Sequence, residues 1–266
     1  MTDEKRYWKV KALIIALIGF GAGLLSGLMG VGGGVLLVPA MVFLLGFNQH
    51  KAHGTSLAVI IPIVAFGAAT YYHHGNIDWI VAGELAVGGV FGAVIGAKLA
   101  NAISSRRLRK LFGLFLLFMA GRMLYDAAPL ILNGQTASAA ATSSAGINHA
   151  ALLVLVTGVA AGALSGLMGI GGGIIMIPAM VYLLDIPQKM AQGISLLVII
   201  PVSLSGAIIH YGKGNVDLRK GGWLAVGGMA GGFLGARLAV QCSDAVLRLI
   251  FGLFLLLMAA LALRKR

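Results

Sequence analysis

The sequence predicts an all-α polytopic membrane protein built from two inverted repeats of about five membrane segments each, about ten in total, some short or broken at a Gly-x-Gly-Gly-Gly sequence. Three observations lead there. The 266 residues are 59% hydrophobic and only 11% charged, with a mean hydropathy of +0.96, more apolar surface than a water-soluble globule of this size can bury. A shift of 139 positions superposes the second half on the first without a gap, so that SGLMGVGGGVLLVPAMV from Ser26 matches SGLMGIGGGIIMIPAMV from Ser165 at 12 of 17 positions. The Lys and Arg residues cluster in some connections and are missing from others, which orients the segments.

The elements follow in chain order. A basic tail (Lys5, Arg6, Lys9, Lys11) precedes the apolar run Ala12 to Met29, which lacks a cleavage site and is read as a retained membrane segment. Gly30, Gly32, Gly33 and Gly34 then interrupt it, because glycine weakens a helix and frees the backbone to turn. A short second segment, about Val35 to Phe47, follows. The third opens at Gly54, Thr55 and Ser56 and carries Pro62 midway, a kink position. After the turn HHGNID (73–78), the fourth segment carries Glu84, the small-residue run GGVFGAVIGAK and Lys98. A basic turn with Arg106, Arg107, Arg109 and Lys110 leads to the fifth, with Arg122 near its outer end. The first repeat is assigned to residues 1–126, a flexible Ala/Ser/Thr-rich loop to 127–149 and the second repeat to 150–266. The second repeat follows the same order: Ala150 to Met168, a break at Gly169, Gly171, Gly172 and Gly173, a short segment Ile174 to Leu184, then Ile194 to Ile209 with Pro201. GGMAGGFLGAR with Arg237 and the run Leu249 to Leu263 complete it.

Charge decides between ten segments and eight. If Ala12 to Phe47 crossed once, each half would have four spans, and the equivalent turns at Asn76 and Asn215 would face the same side. One of these turns holds Lys213, Arg219 and Lys220 and the other has no Lys or Arg. Breaking that stretch at the glycines gives five segments per half and inverts the halves. The N-terminal tail, the turn from Lys98 to Lys110, the turn near Asn215 and the tail Arg264 to Arg266 then all become cytoplasmic. Eight spans, four per repeat, is the alternative. The expected location is the cell inner membrane, multi-pass, with both termini cytoplasmic.

A helix that restarts inside the membrane presents free amides and a positive dipole end, a ready anion site where it lines a polar cavity. The stretch is written twice, on this reading, because one broken helix from each half faces a common substrate site. Candidate ligands are Gly30, Gly32, Gly33, Gly34, Gly169, Gly171, Gly172 and Gly173, joined by Thr55, Ser56 and Ser195 and by the matched pair His53 and Gln192. Helix capping or a plain turn would also explain the last five. Lys98 and Arg237 are candidates for anion attraction or simply snorkelling side chains, and Glu84 for proton coupling or an interfacial acid. His73, His74 and His210 could sense pH, although two lie in an exposed turn. The glycine rows after Gly88 and Gly227 read as helix-packing faces.

The formal charge of +12 sits beside apolar segments, so nucleic acid is not an expected partner. Cys242 is the single cysteine, and no Cys/His cluster suggests a metal. Cofactors are expected to be none. Eight acidic residues without paired carboxylates, a GxSxG elbow or an HExxH helix argue against an enzyme.

The duplicated GLMGxGGGxxxxPAM, the stretches GTSLAVIIP and GISLLVIIP, the Tyr-x-x-Gly-Asn-x-Asp turn and the Gly-x-x-x-Gly-Ala-Lys/Arg segment resemble the TauE/SafE sulfite exporter family, also called the 4-toluene sulfonate uptake permeases. The likeness covers roughly residues 12 to 263 and implies anion transport. The expected function is a secondary transporter, an exporter of sulfite or an organosulfonate working by alternating access, with proton coupling an option. An anion channel and a carrier of another small organic anion, such as a carboxylate, are the alternatives. The expected partners are the anionic substrate and the lipid bilayer, with a homodimer as an option.

Overall fold

Rows of glycine set the helix pairing. The computed structural model describes residues 3–99, 105–132, 151–168 and 172–264. Its ten helices are α1 (Asp3–Met29), α2 (Gly34–Leu45), α3 (Gln49–His73), α4 (Trp79–Leu99) and α5 (Ser105–Leu132), then α6 (Ala151–Met168), α7 (Gly173–Leu183), α8 (Gln188–Gly212), α9 (Leu218–Gln241) and α10 (Asp244–Arg264). Seven of them are long and apolar enough to cross a membrane, and α2 and α7 are short apolar helices. The predicted short segments are therefore present with ends within two residues of those expected, and Pro39 and Pro178 lie inside them.

Contacts fix the sense of each helix. Gly19, Gly23 and Gly27 of α1 abut the backbone at Leu224, Gly228 and Gly232 of α9 in the same order, so α1 and α9 run parallel. Gly88, Gly92 and Gly96 of α4 abut Leu155, Val159 and Ala163 of α6, again in parallel. These are the predicted packing faces: with only hydrogens on Cα, backbones approach until Cα–H groups meet carbonyls, which replaces the hydrophobic drive that lipid cannot supply. Helices α3 and α8 cross antiparallel, since Gly54 near the start of α3 rests on the Asn215 carbonyl beyond the end of α8. Gly193 near the start of α8 rests in turn on the Asn76 carbonyl beyond the end of α3. Gly113 of α5 meets Leu263 and Gly252 of α10 meets Leu124, so that pair is antiparallel too.

With α1 pointing up, α3 and α5 point up and α4 down, while α6, α8 and α10 point down and α9 up. Each helix of one half thus runs opposite to its mate in the other. The turns at Asn76 and Asn215 lie at opposite ends, as ten inverted segments require and eight do not. The halves also exchange partners: α1 packs on α9 and α6 on α4. Of the inter-repeat loop expected at 127–149, residues 127–132 continue helix α5, and 133–149 lie outside the described residues.

The breaks lie within the bundle. Helix α1 climbs to Met29, where Gly30, Gly32 and Gly33 take φ of +74°, +79° and +69°, a left-handed backbone that side-chain-bearing residues adopt only at a cost. The turned chain starts α2 beside Ala22 and Ser26 of α1. Spanning roughly 18 Å at 1.5 Å per residue, α2 returns to the end where α3 begins. There Phe47 lies under Lys51 and Lys220, 5.8 and 4.6 Å from its ring centre.

Candidate functional site

The two breaks touch. A Cβ on Gly173, the first residue of α7, would lie 2.7 Å from Val31 Cα and 2.8 Å from the Gly30 carbonyl oxygen. Gly30 in turn faces Gln192 of α8, whose Cα a Cβ there would approach to 2.8 Å. Neither short helix is capped at its start by a side chain: the N-cap residues are Gly33 and Gly172. Their first turns therefore lack the side-chain hydroxyl or carboxylate that normally receives such amides.

A buried polar group surrounds this contact. Ser195 donates to the Gly30 carbonyl at 2.9 Å. The single proton of the Tyr71 hydroxyl is shared between two acceptors, the Gly27 carbonyl at 3.1 Å and Gln192 Oε1 at 3.0 Å. Tyr71, Ser26, Gln192 and Ser195 are all fully buried. Two of their polar atoms, Ser26 Oγ and Gln192 Nε2, have no hydrogen-bond partner among the described residues. Leaving a buried donor unpaired costs about 1–3 kcal/mol, so two such donors at one place mark a site that a polar group from outside would satisfy.

The walls are closed in this conformation. Ile60 and Ile199 cover Gly32, and Ile60 also covers Gly34. A cavity of only about 10 Å³, lined by Gly172, Met176, Val198 and Ile199 among others, lies beside the start of α7. That is room for about one water. Gly32 and Gly34 thus have carbon neighbours, and entry of an ion requires α3 and α8 to move apart.

The sequence-predicted residues divide into four groups. Gly30, Gly32, Gly33, Gly34, Gly172, Gly173, Gln192 and Ser195 come together at the crossing. Thr55, Ser56 and His53 lie nearer the start of α3. There Thr55 Oγ1 accepts the Asp217 amide at 3.0 Å, fastening α3 to the start of α9, and Ser56 donates to the His53 carbonyl of its own helix at 2.9 Å. Arg237 is exposed on α9 and Glu84 half-buried on α4. Gly169, Gly171 and the Lys98 side chain lie outside the described residues. Sequence reasoning missed Ser26 and Tyr71. Ser26 opens the repeated stretch and was visible there; Tyr71 is replaced by His210 in the other half, so comparing the repeats passes over it.

The sequence profile of the family described as "Sulfite exporter TauE/SafE" matches residues 2–123 and 154–266, both repeats. A "Probable membrane transporter protein" of Xylella fastidiosa (strain 9a5c) is 30% identical over 246 residues, covering 91% of this chain and 90% of that protein. The "Probable membrane transporter protein YunE" of Bacillus subtilis (strain 168) is 28% identical over 258 residues, 92% and 94% of the two chains. An archaeal relative, "Probable membrane transporter protein MJ0441" of Methanocaldococcus jannaschii, is 31% identical over 212 residues, 77% and 73%. No solved structure matches the chain.

Proposed function

The chain belongs to the TauE/SafE sulfite exporter family of membrane transporters, and from that premise we propose that it carries a small sulfur oxyanion, sulfite or an organosulfonate, outward through the crossing of its two halves. The observation that carries this reading is the contact of the uncapped α7 start with the Gly30–Val31 turn that leads into the equally uncapped α2, beside the unpaired Ser26 Oγ and Gln192 Nε2. Amides, a hydroxyl and a carboxamide are all donors, and helix starts carry partial positive charge. This set suits an anion with several acceptor oxygens. Broken helices at the interface of inverted repeats are a recurring way to build such a site, with access alternating as one half rocks against the other. The basic turn of Lys213, Arg219 and Lys220 lies at the same end as the start of α1 and the end of α10, and supports placing that end in the cytoplasm.

Uptake of sulfite by proteoliposomes tests the reading. Gln192→Leu keeps the side-chain size and removes the donor. It is expected to lower uptake at least tenfold, the value of one charge-assisted hydrogen bond of about 1.5–3 kcal/mol, while the protein stays folded. Unchanged uptake in Gln192→Leu and in Ser26→Ala would remove the proposed site. Flux far above about 10³ ions per second would instead indicate a channel.

A further inference from the structure

The α3/α8 crossing has two ends related by the repeat. At one end, Gly193 packs against Tyr71 Cβ (3.0 Å from a Cβ placed on the glycine) and against the Asn76 carbonyl. At the other, Gly54 packs against His210 Cβ (2.8 Å) and the Asn215 carbonyl. The backbone geometry is therefore matched, and the 139-residue shift equates Tyr71 with His210 and Gln192 with His53. The side chains are not matched. The first end holds a neutral, fully buried pair, joined at 3.0 Å from the Tyr71 hydroxyl to Gln192 Oε1. The second holds two half-buried histidines, His210 against Gly54 and His53 next to that glycine in the chain.

We propose that His53 and His210 form a proton-binding site that releases this end of the α3/α8 crossing when protonated, while the Tyr71–Gln192 end stays latched. This rests on the reading that the halves rock about their crossing. Two features of the closed arrangement oppose protonation. His210 Nδ1 is buried without a partner; imidazolium donates from both nitrogens, and the closed structure provides no acceptor for that proton. The surroundings are also already positive. From α3 comes Lys51, from the α8–α9 turn Lys213 and from the start of α9 Lys220, with the His50 imidazole alongside. The carboxylate there, Asp217, is engaged by Lys51 at 3.6 Å and by the Lys220 amide at 3.0 Å. Opening the crossing hydrates both imidazoles and separates the like charges, so protons favour the open form. The site fits a proton and not a metal: no group of three metal-ligating side chains occurs among the described residues.

Spin-label distance measurement tests this without any substrate. In a Cys242→Ser background, Gln49→Cys and Leu218→Cys place labels on the exposed starts of α3 and α9 of the full chain in nanodiscs. On lowering the pH from about 8 to about 5, across the histidine range, a longer distance is expected to become the major population. His53→Gln with His210→Tyr installs the other half's pair and is expected to keep the short distance at both pH values. If that double variant folds poorly, His53→Gln alone, which removes one of the two charges, is expected to lose most of the response. His50→Gln should retain it. A distance that ignores pH in the unmodified pair, a response that survives the His53/His210 exchange, or one abolished by His50→Gln would each overturn the proposal. None of these outcomes bears on anion transport, which the sulfite uptake assay decides separately.

Discussion

Helices α2 and α7 descend from one duplicated stretch, yet they sit in different surroundings. Helix α2 buries Leu37 and Met41, and its Phe43 is 79% exposed. Helix α7 buries every residue from Gly173 to Pro178, together with Met180 and Val181. The cause is the antiparallel pair α5 and α10. Its buried residues Leu116, Met123, Phe251 and Leu255 join the core that contains α7, whereas α2 belongs to a second core built from α3 with residues of α1, α8 and α9. Tyr182 of α7 also donates to Asp126 of α5 at 2.9 Å, while its repeat mate is the exposed Phe43. Duplication therefore fixed the helices and their inversion, and packing then made one broken helix a wall and left the other at the periphery. On the alternating access proposed above, α2 would be the moving part and α7 the fixed one.

Exchanging glycine for alanine at one matched pair gives the largest test of that asymmetry. A methyl at Gly173 meets backbone, Val31 Cα and the Gly30 carbonyl, which cannot step aside. At its mate Gly34 the methyl meets only Ile60 Cδ1, at 2.9 Å, the free end of a flexible side chain. Gly173→Ala is expected to cost about 3 kcal/mol or more and Gly34→Ala under about 1 kcal/mol, read as unfolding free energies in mild detergent. Equal costs would mean that the two breaks are packed alike.

Truncation at the next matched pair sharpens the contrast by a smaller amount. Ile177 is fully buried in α7, and its mate Val38 on α2 is only partly covered. Ile177→Ala should cost about 2–3 kcal/mol through the cavity it leaves. Val38→Ala should cost about 1 kcal/mol or less, because lipid or a neighbouring chain refills the gap. The same unfolding assay reads both, and a larger loss at Val38 would reverse the assignment of wall and moving part.

The duplicated half, the ten segments, the inversion and both breaks were legible because each left a local mark: glycines in a row, a gapless repeat, Lys and Arg on one set of turns. The position of α5 and α10 was not. Their lipid-facing and protein-facing residues are equally apolar, so periodicity, which identifies a buried face in water, carries no such contrast here. The candidate site was half legible for a similar reason. Gln192 and Ser195 stood out by their match to His53 and Ser56. Tyr71, however, resembles the aromatic residues that edge any membrane helix, and only the fold shows its hydroxyl reaching the Gly27 carbonyl of α1. Thr55 stood out equally and proves to fasten a turn, since a hydroxyl near a helix start looks the same whether it binds a ligand or a backbone amide.

The backbone at the two breaks gives the finest comparison and the smallest expected effect. Gly33 starts α2 with φ +69°, whereas Gly172 starts α7 with φ −59°, so the same residue in the same motif is needed for its conformation in one half and not in the other. Alanine at Gly33 must adopt a left-handed backbone at a cost of roughly 1–2 kcal/mol, with its methyl 3.3 Å from the Ala22 carbonyl and Ser26 Cβ. Alanine at Gly172 keeps an ordinary helical φ beside a small apolar cavity, and the loss of unfolded-chain freedom should leave it neutral or stabilised by about 0.5 kcal/mol. Because the strain at Gly33 sits where α1 turns into α2, relieving it by straightening that turn would withdraw the α2 amides from the crossing. Gly33→Ala is therefore expected to reduce sulfite uptake by more than its stability cost implies, and by more than Gly172→Ala does. Equal uptake by the two variants would show that the left-handed turn serves packing alone.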